Sequence, residues 1–115
     1  MSSAVPDIEN SEAVRDFDPE VSLSDLGKPV NFAGLFGRAA INEIEIGSGS
    51  GLFLAIEAQR RPEVNFLAIE QDRAEVYRAK DKWKRRALTN VRIVRCDAHY
   101  LLEECIGAES VDGYT

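Results

Sequence analysis

The sequence has 115 residues, of which 44% are hydrophobic and 30% are charged, with a formal net charge of −6. This composition is typical of one soluble globular domain and excludes fibrous and disordered chains. It contains neither an apolar run near the ~20 residues of a membrane-spanning helix nor a secretory signal, so we expect a cytoplasmic protein without a membrane partner.

Acidic residues are concentrated at the start of the chain. Residues 1–25 contain seven acids and a single base, Arg15, and therefore carry the whole net charge. They show no sustained apolar period, which predicts an acidic, disordered or loosely attached arm over residues 1–29. We expect the folded domain to occupy residues 30–115.

The domain begins with a short helical turn that ends at Gly37. The β-branched run Ile41–Ile46 then predicts a strand, which leads through a glycine-rich loop into a helix over Leu52–Arg61. Pro62 ends that helix, and Val64–Glu70 is apolar enough to be a strand covered on both faces.

The same alternation continues to the end of the sequence. Asp72 is a natural cap for a helix that runs to about Ala87, Val91–Cys96 predicts a third strand, and a helix follows over Ala98–Ile106. Residues 110–115 have the pattern of the start of a fourth strand. The order predicts an α/β fold with a Rossmann-like, doubly wound parallel sheet, incomplete because only three strands and the start of a fourth are present.

An acid lies near the carboxyl end of each of the three strands: Glu45 just before the glycines, Glu70 at the end of the second strand, and Asp97 directly after the third. Ligands of open α/β sheets bind beyond the carboxyl ends of the strands. Carboxylates accept hydrogen bonds from amines and ribose hydroxyls but repel phosphate, which favours S-adenosylmethionine, a donor with a sulfonium, an ammonium and a ribose diol. The alternative is that these acids cap helices, and for Asp97 both roles remain open.

The loop of residues 47–51 has glycine at every second position. The dinucleotide pattern GxGxxG would require a third glycine where Leu52 stands, and a Walker phosphate loop would require a lysine after the last glycine. The spacing therefore argues against a nicotinamide or flavin oxidoreductase half-domain. Glycines permit positive φ and a close approach of the backbone to a ligand, while Glu70 lies about 20 residues on, where such folds bind ribose.

Several strings along the sequence carry a family resemblance: 36–38, 43–54, 61–62, 66–70, 88–92, 96–98 and 109–112. On these strings the chain resembles the bacterial tRNA (guanine-N(7)-)-methyltransferases. The resemblance implies a class I S-adenosylmethionine methyltransferase fold, S-adenosyl-L-methionine as cofactor, and tRNA as partner. Members of this family methylate ring nitrogen 7 of a guanine in the variable loop.

The resemblance also implies which residues contact the donor. They are the acids Glu45, Glu70 and Asp97, the backbone of Gly47 beside the methionine part, and Ala98 beside the adenine.

The Pro-Asp-Pro-Trp segment of the family, which binds guanine and bears the catalytic aspartate, would lie beyond Thr115. The resemblance therefore implies no catalytic residue within the chain. We expect a donor-binding part that is inactive alone and prone to self-association through an exposed strand edge. The alternative is a non-catalytic methyltransferase-like module for donor binding or interaction.

Seven of the fourteen basic residues fall between positions 73 and 86. Bases beside an aromatic side chain such as Trp83 can contact RNA. The interpretation we favour is a solvated helix face, with Trp83, Tyr77 and Ala87 packed on the sheet.

The other reactive side chains are assigned no chemistry. Cys96 and Cys105 lack the spacing of a zinc site or a disulfide framework, and we expect both to be reduced, buried and inert. His99 has no recognisable orienting acid in the sequence and is not expected to act as a general base.

Overall fold

A computed structural model describes residues 17–107 and 111–115 of the chain. Its centre is a five-stranded sheet with the spatial order β1-β4-β3-β2-β5, in which every pairing is parallel. The strands are β1 (Glu20–Val21), β2 (Ile41–Ile46), β3 (Val64–Glu70), β4 (Val91–Arg95) and β5 (Gly113–Tyr114). The order reverses at β2, since β3 and β4 follow on one side of it and β5 on the other, and the predicted doubly wound sheet is confirmed.

Within the described residues, five helices cover the two faces of the sheet: α1 (Leu23–Leu26), α2 (Phe32–Phe36), α3 (Leu52–Arg60), α4 (Arg73–Arg85) and α5 (Ala98–Glu104). Buried side chains of α3 and α4 form one core with β3 and β4, and those of α1, α2 and α5 form a second core on the opposite face. No helix in the described part of the chain is long and apolar enough to cross a membrane.

The predicted element boundaries lie within two residues of the observed ones for β2, β3, β4 and the helices between them. The predicted cap of α4 is also present, because the Asp72 carboxylate accepts hydrogen bonds from the amides of Ala74 and Glu75 at 2.8 and 3.2 Å. The last strand pairs with β2 through residues 113–114, and the amide of Thr115 continues the pairing by donating to Ile44 O at 2.8 Å. Residues 108–110 lie outside the described part.

The segment before residue 30 differs from the loosely attached arm that the sequence predicts. Within residues 17–29, β1 pairs with β4, Leu26 is buried in the second core, and Lys80 binds Glu20 at 2.9 Å. A two-residue strand and a four-residue helix are too short to produce a period in the sequence, so their order comes from tertiary contacts. Residues 1–16 lie outside the described residues.

Arg92 in β4 fastens this segment to the sheet. It is 2% exposed, and its guanidinium lies 4.4 Å from the ring centre of Phe17 and 4.8 Å from that of Phe36. It also donates to the carbonyls of Thr89 and Val91. Burial lowers the pKa of Arg92 to about 10, so the group remains charged at neutral pH and the cation–π stack persists.

Two of the strings that carry the family resemblance have structural roles. The buried side-chain amide of Asn90 donates to the backbone carbonyls of Ala58, Arg61 and Val64, all within 3.2 Å. It thereby joins the end of α3 to the start of β3. Arg38 binds the side chain of Asn65 at 2.8 Å and two backbone carbonyls beside it. Both residues therefore fix the amino end of β3, at the opposite edge of the sheet from the strand-end acids.

Candidate functional site

The glycine loop leaves the carboxyl end of β2 with a left-handed backbone. Gly47 has φ 68° and Gly51 has φ 80°, a region that side chains with a Cβ rarely adopt. A Cβ on Gly47 would meet no atom within 4 Å, whereas one on Gly51 would lie 2.7 Å from the Cβ of Ala79. Conformation alone therefore requires glycine at Gly47, and both conformation and close packing require it at Gly51.

Glu70 at the end of β3 binds two backbone amides. Its Oε1 accepts from Gly49 N at 2.8 Å and its Oε2 from Asp72 N at 3.0 Å. One carboxylate thus connects the glycine loop to the start of α4. Each carboxylate oxygen has a second lone pair, so Glu70 can still accept bonds from a ligand.

Glu45 in β2 is the least satisfied acid of the site. It is 7% exposed, and its Oε1 has no hydrogen-bond partner among the described residues. Burial, and secondly the charge of Glu70, raise the pKa of Glu45 to about 7. The hydroxyl of Ser48 in the adjoining loop is likewise buried without a described partner. Leaving a buried polar group unpaired costs about 1–3 kcal/mol. Unpaired groups of this kind are typical of a position where a bound ligand completes the hydrogen bonding.

A cleft of about 210 Å³ opens at the carboxyl ends of the three central strands; its lining residues are Ile46, Gly47, Ile69, Glu70, Gln71, Cys96, Asp97 and Ala98. Four of the five predicted site residues are among them. The fifth, Glu45, does not line the cleft, because its side chain lies on the opposite face of β2 from that of Ile46. Small-molecule sites usually measure roughly 300–1,000 Å³, so these residues enclose only part of a nucleoside-sized ligand.

Asp97 has the capping role that the sequence left open. Its Oδ2 accepts from Tyr100 N at 3.3 Å, at the start of α5. A carboxylate can accept several bonds, so capping is compatible with ligand contact, which stays a prediction.

Four of the lining residues were missed by sequence reasoning, namely Ile46, Ile69, Gln71 and Cys96. Each directly adjoins a strand-end acid, and that adjacency is the signal that could have identified them. Cys96 is partly exposed rather than buried as expected, whereas Cys105 is buried, and both are free thiols. Burial, and secondly the neighbouring Cys105, raise the pKa of the Cys96 thiol, so it is protonated at neutral pH.

Several basic side chains of helix α4 form ion pairs within the protein. Arg78 pairs with Glu75 and Arg85 with Asp81, while Lys80 reaches acids of the first strand segment. The bases are therefore partly neutralised, and RNA contact by this helix stays a prediction.

The aromatic side chains of α4 divide between the core and the surface. Trp83 is fully buried as expected and cannot stack on a base, but Tyr77 is 72% exposed, so the prediction that it packs on the sheet was wrong. Ala87, just after the helix, is also exposed.

His99 lies on the outer surface of α5. Its Nε2 is 3.3 Å from Glu103, an acid one turn along the helix that the sequence reading did not pair with it. Both side chains are exposed, so the pair is a weak surface contact and not an oriented catalytic base.

Comparison with known proteins adds the family. A family model described as "Putative methyltransferase" matches residues 39–114. A tRNA (guanine-N(7)-)-methyltransferase of Thermotoga maritima is 40% identical over 84 residues, which are 73% of this chain and 27% of the relative. Proteins of the same name from Leifsonia xyli subsp. xyli and Chromohalobacter salexigens are 36% and 33% identical, over 86% and 90% of this chain and 44% and 42% of their own lengths.

The chain thus spans less than half the length of these curated relatives. The region matched by the family model contains the glycine loop and all three strand-end acids, together with the strands that bring them to one edge of the sheet. The resemblance read from the sequence is confirmed, and the chain belongs to this methyltransferase family.

Proposed function

We propose that this chain binds S-adenosylmethionine at the carboxyl edge of β2, β3 and β4, as the donor-binding part of a tRNA (guanine-N(7)-)-methyltransferase. Membership of a methyltransferase family requires a methyl donor. The names of the relatives support tRNA as the substrate and guanine nitrogen 7 as the methylated atom. The observation that carries the proposal is the buried Glu45 Oε1, which has no described partner and lies beside the glycine loop.

The charge of the site fits this donor. Two acids, Glu70 and Asp97, line the cleft and a third, Glu45, lies beside it, while none of the eight lining residues is basic. Opposite charges attract strongly in a partly buried site, so a cationic ligand is favoured and a pyrophosphate is repelled.

Each group of the site has a part in holding the donor. Glu45 would accept from the ammonium, and Glu70, already fixed by Gly49 and Asp72, would accept from the ribose hydroxyls. Ile46 and Ile69 supply apolar walls beside Ala98.

The bound donor supplies an electrophilic methyl group attached to a sulfonium. Nitrogen 7 of guanine has a lone pair and carries no proton, so transfer requires alignment and support of the developing charge more than removal of a proton. The residues described here bind and orient the donor, and we assign the guanine-binding and catalytic groups to the part of the relatives that this chain does not span. We place this activity in the cytoplasm, because the relatives named for tRNA methylation come from bacteria.

The test is donor binding by this chain and by Glu45→Gln, measured by calorimetry with S-adenosylhomocysteine and S-adenosylmethionine. Losing a charge-assisted bond should weaken binding by about 10- to 100-fold. Removing a buried carboxylate should leave the chain at least as stable as before, so a loss of affinity would not reflect unfolding.

Glu43→Gln is the matched control, because Glu43 lies two residues earlier on the same face of β2 and is paired with Arg61. It should cost some stability, because it weakens a partly buried ion pair, and leave donor affinity within about twofold, because Glu43 does not line the cleft and its carboxylate is already bound by Arg61. Equal loss of affinity in both variants, or none in Glu45→Gln, would remove the support for Glu45 as a donor contact.

A further inference from the structure

The second half of the glycine loop is held by side chains from a different element. Lys82 Nζ donates to Ser50 O at 3.0 Å, and Trp83 Nε1 donates to Gly51 O at 2.9 Å. Two consecutive residues of α4 thus bind two consecutive carbonyls that lie 32 positions earlier in the chain. Other side chains of α4 pack in the core or form ion pairs on the surface, whereas these two donate hydrogen bonds to the glycine loop.

The contact is closely fitted around Gly51. A Cβ at this position would come within 2.7 Å of Ala79 Cβ and 2.9 Å of Trp83 Nε1. Gly51 is also the cap of α3, and its carbonyl accepts the first helical bond from Ala55 N at 3.0 Å. The Gly51 carbonyl therefore accepts two hydrogen bonds, one from the first turn of α3 and one from the indole N–H of Trp83.

The loop is therefore fixed on both sides. Glu70 binds the amide of Gly49, and α4 binds the carbonyls of Ser50 and Gly51. Glycine adopts positive and negative φ about equally readily, so a loop with glycine at alternate positions has many conformations to lose, and its surroundings must hold the one observed. A phenylalanine could fill the space of the Trp83 ring, but it would not supply the buried N–H that the loop carbonyl accepts.

We propose that Lys82 and Trp83 are positioning residues that hold the glycine loop in the conformation that receives the amino-acid end of the methyl donor. This inference rests on the proposed donor site. The two residues act on the donor through the loop backbone, because Trp83 is fully buried and Lys82 is engaged with Ser50. Pre-organising the loop spares the ligand the cost of ordering it.

Two ligands separate positioning from general packing. S-adenosylhomocysteine carries the amino-acid end, and 5′-methylthioadenosine has the same thioadenosine without it. Trp83→Phe and Lys82→Met should each weaken S-adenosylhomocysteine binding by about 3- to 10-fold, as expected for one lost hydrogen bond, and leave methylthioadenosine within twofold. Lys82→Arg keeps a donor group and should restore most of the affinity.

Lys84→Met is the control for charge, since it removes the same charge from the same helix, on the surface beside Tyr77. It should change neither affinity. Hydrogen exchange in the ligand-free chain gives a second readout, because the Gly51 amide donates to Ser48 O at 3.0 Å. Exchange of this amide should accelerate in Trp83→Phe and Lys82→Met but not in Lys84→Met.

The outcomes divide clearly. If the parent chain binds the donor, two results would overturn the positioning role and leave the donor site intact. One is an equal loss of affinity for both ligands in Trp83→Phe and Lys82→Met, and the other is exchange of the Gly51 amide in these variants at the parent rate. A parent chain that binds neither ligand would overturn the donor site and, with it, the assignment of the loop to the amino-acid end.

Discussion

At the scale of a single residue, Glu45 should make donor binding depend on pH. Its pKa of about 7 in the ligand-free chain means that the carboxyl is mostly protonated in mild acid. A cationic ligand requires the carboxylate, so binding must displace that proton below pH 7. The raised pKa therefore predicts weaker donor binding as pH falls.

The expected dependence is an increase in Kd of up to about tenfold per pH unit below pH 7, because one proton is released on binding. Above about pH 8 the donor's own amino group loses its charge and affinity falls again. Calorimetry across this range measures both limbs. Glu45→Gln should lack the acid limb, and a flat profile for the parent chain would show that Glu45 is not the titrating contact.

Gly47 and Gly51 provide a second prediction at this scale. Both need a left-handed backbone, but only Gly51 lacks room for a methyl group. Gly47→Ala should cost about 1–2 kcal/mol for conformation alone, and Gly51→Ala about 1–3 kcal/mol more for overpacking. Urea unfolding of both variants measures the difference. Equal losses would mean that α4 can move away from the loop.

At the scale of elements, the sequence predicts the parts with strong periods and misses those set by contacts. β2, β3 and β4 are strands of five to seven residues with β-branched residues in each, and their predicted bounds agree closely with the structure. β1 and α1 are two and four residues long, and tertiary contacts such as the stack of Phe17 on Arg92 fix this segment instead.

The residues of the candidate site likewise divide into those that the sequence predicts and those that depend on tertiary contacts. The acids at the strand ends could be identified because parallel strands deliver their carboxyl ends to one edge of the sheet. The roles of Lys82 and Trp83 could not, since a contact across 32 residues depends on how α3 and α4 pack and on the rotamers chosen there. The burial of Glu45 likewise appears only once the sheet and the loop are assembled.

Asn90 tests whether a string that carries the family resemblance can have a structural role rather than a chemical one. Asn90→Ala leaves three carbonyls around the start of β3 without their shared donor and should destabilise the chain by about 2 kcal/mol. Donor affinity should not change, because this junction lies at the opposite edge of the sheet. Thr89→Ala is the neighbouring control, expected within about 0.5 kcal/mol of the parent. A lower donor affinity in Asn90→Ala would assign the string a role in the site.

At the scale of the whole molecule, several large apolar side chains of β2, α3 and β5 are exposed; they are Ile41, Ile46, Leu52, Phe53, Ile56 and Tyr114. Apolar surface of this kind favours association. We expect the isolated chain to self-associate increasingly with concentration in sedimentation velocity. Phe53→Glu should reduce the association, and Tyr77→Ser, which removes an exposed aromatic elsewhere, should not. A chain that stays monomeric at high concentration would contradict this expectation.

The measurement that tests the account most directly is a calorimetric titration of the chain with S-adenosylmethionine and, separately, with NAD. Three acids and an alternating glycine loop predict one-to-one binding of S-adenosylmethionine and an affinity for NAD at least tenfold lower, because the pyrophosphate meets Glu70 and Asp97. Binding of NAD as tight as that of S-adenosylmethionine, or no binding of S-adenosylmethionine by the folded chain, would contradict it.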